Sequence, residues 1–374
     1  MINRALVNKI EGSFFKGKAV ILYGPRQVGK TTLINSILDS YQGSVMRLNG
    51  DESDVKDLLS MPTSAKLRNL TAGNKIIFID EAQKIPGIGT AIKLFTDNIP
   101  EVQVVATGSS SFELADKTSE PLTGRKYEFL LLPLMFSELS DSTSVLDEKR
   151  VLEQRMIYGS YPEIVSKPAE AKNLLKMLAA SYLYKDIFNL DRIRNSLLIE
   201  RIVKALALQI GNEVSYMELA RLTGADKNTV EKYIEVLEKT FVIFRLPGYN
   251  ANVRTEIRKG KKFYFYDNGI RNAVIGNFNP MSSRTDAGAL WENYAVSERI
   301  KKLLLNSEDA FSYFWRTTLQ QEIDYIEERQ GTYHAYEIKY GKTAHVKFPS
   351  TFMENYNVKT TMAVRPSNIE DFLL

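Results

Sequence analysis

The sequence predicts an α/β chain: a parallel sheet comes first, then a helical region, then a second, separate α/β unit. Three observations predict this. Short β-branched apolar runs alternate with helical patterns at Ala19 to Tyr23, Val45 to Leu48, Ile76 to Asp80, Val102 to Thr107 and Tyr127 to Leu132. Continuous apolar runs of this kind suit strands covered on both faces by helices. A glycine-bearing segment, Gly24 to Thr31, joins the first run to the helical stretch Thr32 to Leu38. The last third repeats the alternation, with an amphipathic helix over Trp291 to Leu305 and strands at Phe311 to Arg316, Glu322 to Glu327 and Tyr333 to Tyr340.

A chain of 374 residues, 44% hydrophobic and 25% charged, can bury a substantial core, and its length suggests roughly two to three domains. There is no run of about 18 uncharged apolar residues, and Met1 to Lys9 alternates apolar with charged residues. Neither a membrane span nor a secretory signal is expected, and a cytoplasmic location follows as the expectation. Cysteine is absent and the only histidines are His334 and His345, so thiolate sites are excluded and a zinc centre is not expected. A metal here would be a hard, oxygen-bound ion. The net charge of +4, from 49 Lys+Arg against 45 Asp+Glu, is too slight to indicate a polyanionic partner, so local basic patches must carry that argument.

Gly24-Pro25-Arg26-Gln27-Val28-Gly29-Lys30-Thr31 fits G-x-x-x-x-G-K-[ST] and sits between an apolar strand and a helix that continues through Thr32. The glycines let the backbone curl so that its N–H groups face a phosphate, and the helix N-terminus adds positive potential. Lys30 is expected to bridge the β- and γ-phosphates of ATP, and Thr31 to ligate Mg²⁺. Downstream, Ile76-Ile77-Phe78-Ile79-Asp80-Glu81 reads as a buried strand whose end presents Asp80 to the metal shell and Glu81 to the attacking water.

The GPRQVGKTT loop, the IIFIDEAQKIP segment, the ATGSSSFEL strand end and the LTGRKYEFLLLPL segment together resemble the bacterial and archaeal AAA+ ATPase family that carries a C-terminal nuclease-like domain of unknown function. The resemblance spans essentially the whole chain. It implies a P-loop AAA+ domain over 1–140, a helical lid over 150–195, a winged helix-turn-helix over 196–267 and a restriction-endonuclease-like α/β domain over 285–374. It further implies that Thr107, or Ser109 just beyond it, senses the γ-phosphate, with Thr107 the preferred of the two, against the plainer reading of a turn at Gly108 with serines that cap the next helix. Arg125 matches the arginine finger that completes a neighbouring subunit's site in a homo-oligomer, against the plainer reading of a surface arginine beside a strand. Lys172, Lys185 and Arg192 are candidates for a second sensor.

Between these ends, Ser137 to Asp147 is expected to be an irregular exit from the first domain, because Ser, Thr and Asp accumulate there. Met156 to Leu190 reads as helical, with Leu174, Leu175, Leu178, Tyr182 and Leu183 on one face. Three helices follow: one built on Ile199, Ile202, Val203 and Leu206, one opened by a Ser215–Glu218 capping box, and one that starts after Asp226 with Val230, Tyr233, Ile234 and Leu237. A candidate hairpin of Phe241 to Leu246 and Phe263 to Tyr266 completes the winged-helix order. Lys227, Asn228, Thr229 and Lys232 open the third helix, and Arg254, Arg258, Lys259, Lys261 and Lys262 lie near the wing; both groups suit DNA contacts, against a solvated face or a protein-contact module.

Glu322-Ile323-Asp324-Tyr325-Ile326 followed by Glu337-Ile338-Lys339 resembles the D…(D/E)-x-K pattern of the restriction-endonuclease-like superfamily. A strand period of two puts Glu337 and Lys339 on one face, and an adjacent strand brings Asp324 beside them. Asp324 and Glu337 are then candidate Mg²⁺ ligands, Lys339 a group for the reacting phosphate, and Glu292 an acidic helix residue that reaches the metal. Active cleavage and a decayed, structural descendant stand side by side. The expected function is an ATPase acting on DNA; the alternative is an ATP-dependent switch or scaffold that binds a protein partner.

Overall fold

The computed structural model describes residues 2–109, 122–181, 195–249, 260–317, 319–341 and 346–374. The chain separates into two compact units, Met1–Leu132 and Pro133–Leu374. Among the described residues no helix is long and apolar enough to cross a membrane.

The first unit is a parallel sheet of β1 (Ala19–Tyr23), β2 (Val45–Asn49), β3 (Ile76–Asp80), β4 (Gln103–Gly108) and β5 (Lys126–Leu130), in the order β2-β3-β4-β1-β5. Burial follows this order. The three central strands are buried almost throughout, whereas the edges β2 and β5 are half-exposed. Helix Ile88–Asn98 seats Ala91, Ile92 and Phe95 against one face, where Ile77, Ile79 and Val104 meet them. The strand after β1 lies on one side of it and the strand after β4 on the other, so the order reverses between these neighbours. In open parallel sheets ligands bind outside the carboxyl ends of strands at such a reversal. The P-loop segment leaves β1 there.

In the second unit, helices Ser196–Leu208, Tyr216–Thr223 and Lys227–Lys239 precede an antiparallel sheet of β6 (Glu213–Val214), β7 (Ile243–Pro247) and β8 (Lys261–Phe265), ordered β6-β8-β7. Asp226 caps the third helix through the Thr229 N–H at 2.9 Å, as its type and position predict. Ser215 precedes the second helix but its side chain makes no capping bond, so the expected capping box does not form. The last sheet holds β9 (Phe311–Arg316), β10 (Glu322–Arg329), β11 (Thr332–Ile338) and β12 (Val358–Val364), ordered β12-β11-β10-β9; β9 to β11 are antiparallel and β12 runs parallel to β11. Its core gathers Trp315, Ile323, Ile326, Ala335 and Phe352.

Two further expectations need correction. Ser137 to Asp147 is not irregular: helices occupy Phe136–Ser142 and Val145–Arg150. The polar residues that suggested a loop are end groups, because Glu138 accepts from the Met135 N–H and Ser144 accepts from the Asp147 N–H. Met156 to Leu190 is not one continuous helical pattern either. Helix Leu152–Tyr158 stops at Gly159, and Pro162 and Pro168 start new turns before helix Ala171–Ser181. Tyr182 and Leu183 lie outside the described residues.

The turn after β1 depends on glycine for two separable reasons. Gly24 has φ 148° and a Cβ there would lie 2.0 Å from the Leu131 carbonyl oxygen, whereas Gly29 has φ 91° with nothing within 4 Å of a Cβ. Gly29→Ala should therefore cost only the conformational penalty, about 1–2 kcal/mol. Gly24→Ala should cost more, because β5 must also move away. Chemical denaturation of both variants checks this, and equal losses would show that the approach of Leu131 does not matter.

Candidate nucleotide site and C-terminal carboxylate cluster

Residues 24–29 form a loop and helix Lys30–Ser40 begins directly after it. Gly29 occupies the N-cap in a left-handed conformation and no side chain caps the helix, an arrangement that suits an anion. Lys30, nearly buried, donates to the carbonyls of Gly24 and Pro25 at 2.8 Å each, holding the loop closed around its ammonium. Pro25 and Val28 are buried, Arg26 is half-buried, and Gln27, Thr31 and Thr32 are exposed; Gln27 also has a positive φ of 60°.

The Thr31 hydroxyl lies 2.9 and 3.1 Å from the two Asp80 carboxylate oxygens, joining the loop to the end of β3. On its other side Asp80 accepts from the buried Thr107 hydroxyl at the end of β4. Thr107 thereby orders the Asp80 carboxylate. All of these groups are hard oxygen donors, and Thr31 and Asp80 fit the set that Mg²⁺ accepts alongside phosphate. Glu81 follows with φ 48°, a left-handed conformation costly for a residue with a side chain and frequent at functional sites.

Two contributors escaped the sequence reading. The amide Nε2 of Gln83 donates to Glu81 Oε2 at 2.6 Å and lies 3.1 Å from Ser109 Oγ, so Ser109 rather than Thr107 is the hydroxyl linked to Glu81. Arg4 donates to the Val28 carbonyl at 3.1 Å and to the Leu132 carbonyl at 2.5 Å, bracing the loop from behind. The DEAQ run contained a signal for Gln83, two residues from Glu81; no local pattern pointed to Arg4. Arg125 donates to Asp97 at 2.6 Å. Its carbonyl accepts from the Ala19 N–H, which puts it at the edge of the sheet opposite the P-loop.

In the last sheet the register Tyr325↔Tyr336, continued by one residue, sets Asp324 opposite Glu337, and the β9–β10 register shifts between Ile323 and Ile326, around Asp324. Bulges of this kind re-aim side chains. Lys339 Nζ lies 2.9 Å from Asp324 Oδ2 and 2.7 Å from Glu337 Oε2, and the Ile338 N–H also donates to Asp324 at 2.8 Å. Burial, reinforced by Asp324, pushes Glu337 up to about 7. Burial works against the Lys339 ammonium, but Asp324 and Glu337 outweigh it and hold its pKa above the ordinary lysine value. The expected trio thus forms.

Glu292 departs from expectation. It accepts from Tyr264 at 2.6 Å and from Lys262 at 3.2 Å, and burial raises its pKa although Lys262 opposes this. Among the described residues no group of three or more His, Asp or Glu side chains could hold a metal ion, so the three-carboxylate set of Asp324, Glu337 and Glu292 is not assembled. Two carboxylates fit, with Lys339 between them. Lys262 also bridges to Glu322 at 2.8 Å and is 2% exposed, which removes it from the basic surface expected near residue 260. At the start of helix Lys227–Lys239, Lys227, Asn228 and Lys232 are exposed, but the Thr229 hydroxyl is committed to Asp226 at 2.5 Å. Lys172 lies on helix Ala171–Ser181; Lys185, Arg192, Arg254, Arg258 and Lys259 lie outside the described residues.

Residues 149–281 match the model of a family described as Domain of unknown function (DUF8612), and residues 287–371 that of another, Domain of unknown function (DUF4143). An uncharacterized protein of Mycobacterium tuberculosis is 25% identical over 336 residues, covering 88% of this chain and 72% of its own length. An uncharacterized protein of Methanocaldococcus jannaschii is 24% identical over 329 residues, covering 81% of this chain and 71% of its own. A replication factor C large subunit of Methanococcus maripaludis is 36% identical over 89 residues, 22% of this chain and 18% of that one. Residues 16–140 match the model of the family described as AAA domain, and with the five-stranded parallel sheet and its P-loop this marks the first unit as similar to the AAA+ ATPases.

Proposed function

We propose that this protein binds and hydrolyses ATP at the P-loop of its first unit and couples that cycle to DNA held by its second unit. The observation that carries the first part is the hydrogen-bonded junction of Thr31 with Asp80, which joins a phosphate-binding loop to an acidic strand end. Lys30 would exchange its loop carbonyls for the β- and γ-phosphate oxygens, with the N–H groups of the first helical turn beside it. Thr31 and Asp80 would hold Mg²⁺, which supplies neutralisation of charge on the phosphates. Glu81 takes the proton of the attacking water. Arg125 stands at the sheet edge away from its own P-loop, which supports service to a neighbouring subunit's nucleotide in a homo-oligomer, with Asp97 as its partner between encounters.

The second unit supports a DNA-acting reading through two features. Three helices followed by a small antiparallel sheet have the order of a winged helix-turn-helix, and exposed Lys227, Asn228 and Lys232 open its third helix. The last sheet brings Asp324, Glu337 and Lys339 together in the restriction-endonuclease-like pattern. A divalent metal on those carboxylates would supply a polarised phosphodiester and an activated water. A second reading, in which this domain is an inactive scaffold for a protein partner, is favoured by the ammonium between the two carboxylates and by the retention of Glu292 by Lys262 and Tyr264.

Lys30→Ala should abolish tight ATP binding. Glu81→Gln should keep ATP affinity within about threefold while turnover falls by roughly 10²–10⁴. Equilibrium binding beside steady-state turnover checks both, and wild-type turnover in either variant would overturn the assignment.

The double reversal Lys227→Glu, Lys232→Glu should weaken duplex DNA binding and reduce the slope of log affinity against log salt by roughly 2, leaving basal ATP turnover near wild type. A salt titration that superimposes on wild type would leave the protein-contact reading ahead.

Asp324→Asn and Lys339→Ala should each remove Mg²⁺- or Mn²⁺-dependent DNA cleavage without changing ATP turnover, since the two sites belong to separate units. Absence of cleavage by the wild-type protein with either metal, with or without ATP, favours the scaffold.

A further inference from the structure

We propose that Gln83 is a catalytic residue of the first unit that holds the attacking water jointly with Glu81, and that Ser109 is the positioning residue for its amide. The inference rests on the nucleotide reading of the P-loop and goes beyond it by assigning the second acceptor for the water. Gln83 sits in the short 3-10 turn Ala82–Lys84, immediately after the left-handed Glu81. Its Nε2 lies within hydrogen-bonding distance of Glu81 Oε2 and of Ser109 Oγ. The orientation of the amide is chemically determined: Nε2 must face the carboxylate, because turning the amide over would set its oxygen against an anionic acceptor.

With Nε2 so committed, Oε1 is buried and has no hydrogen-bond partner among the described residues. A buried acceptor without a donor costs on the order of 1–3 kcal/mol and calls for an explanation such as a ligand or water that supplies the donor. A water molecule supplies it here. It has two O–H groups, and an arrangement that directs a lone pair at phosphorus needs an acceptor for each. Glu81 provides one and Gln83 Oε1, on the same planar amide that already grips Glu81, provides the other. In the step itself the water oxygen bonds to the γ-phosphorus, the bond from that phosphorus to the β–γ bridging oxygen breaks to leave ADP, and the water proton passes to Glu81. Gln83 exchanges no proton; it fixes the direction of attack, as a water-positioning glutamine does in phosphoryl transfer to water.

The two polar chains at the end of β3 thereby divide the work. Thr31 and Thr107 meet on Asp80, the metal side; Ser109 acts through Gln83 on Glu81, the water side. Gln83→Met keeps the length of the side chain and removes both hydrogen-bonding functions. It should lower kcat at least about tenfold while ATPγS affinity stays within about twofold, and it should weaken binding of the transition-state mimic ADP–aluminium fluoride by a factor similar to the loss in kcat. Ser109→Ala should lower kcat less, because it loosens the amide without removing it.

A kcat for Gln83→Met within twofold of wild type overturns the proposal. So do equal losses of ATPγS and ADP–aluminium fluoride binding, which mark a structural role. Wild-type protein that fails to bind ATPγS overturns the nucleotide reading itself, and Gln83's role with it; wild-type binding that disappears in Lys30→Ala establishes that any failure belongs to Gln83 alone.

Discussion

The first unit turns on the Asp80 carboxylate. Its two oxygens take the Thr31 hydroxyl, from the helix that the P-loop starts, and the Thr107 hydroxyl, from the end of β4. One anionic group thus fixes the relative positions of three elements that are neighbours in the sheet or follow directly from it. Charge-assisted hydrogen bonds of this kind are stronger than neutral ones, and a partly buried setting screens them less. Phosphoryl transfer depends mainly on holding charged groups in place, so in the proposed ATPase such a junction would serve the chemistry as well as the fold.

The order of the strands decides where that junction stands. A parallel sheet directs all its carboxyl ends one way, and the reversal between β1 and β4 opens the space into which the P-loop turns. The close passage of Leu131 over Gly24 and the bonds of Arg4 to Val28 and Leu132 then brace the loop. Lys30 completes the arrangement from within by donating to the loop's own carbonyls. A loop shaped in this way would lower the entropic cost of binding the proposed nucleotide.

Among its described residues the second unit buries several charges in close pairs. Arg299 and Arg329 both meet the fully buried Glu327; Arg271 and Arg284 share Asp286; Lys262 lies between Glu292 and Glu322. An ion taken from water loses several kcal/mol of solvation, which only close counter-ions and hydrogen bonds offset. Removing one member would leave another buried without compensation. Such pairs therefore restrict the unit to arrangements that keep every partner, and they account for Lys262 and Glu292 facing one another.

What the sequence determined by itself was whatever depends on neighbours in the chain. The strand Ile76–Asp80, the P-loop flanked by β1 and a helix, the Asp226 cap and the alternation of Glu337 with Lys339 all follow from spacing, since backbone period and motif register are local properties. Ser137 to Asp147 misled because Ser, Thr and Asp favour helix ends and loops equally, and only the helices on either side decide between them. The tertiary structure alone decided which polar groups meet. It gave Thr107 to Asp80, joined Ser109 to Glu81 through Gln83, withdrew Lys262 and Glu292 into one another, and carried Arg4 to the P-loop. A hydrogen bond needs a partner within about 3 Å in space, whatever its separation along the chain, and residue type states only that a partner is required.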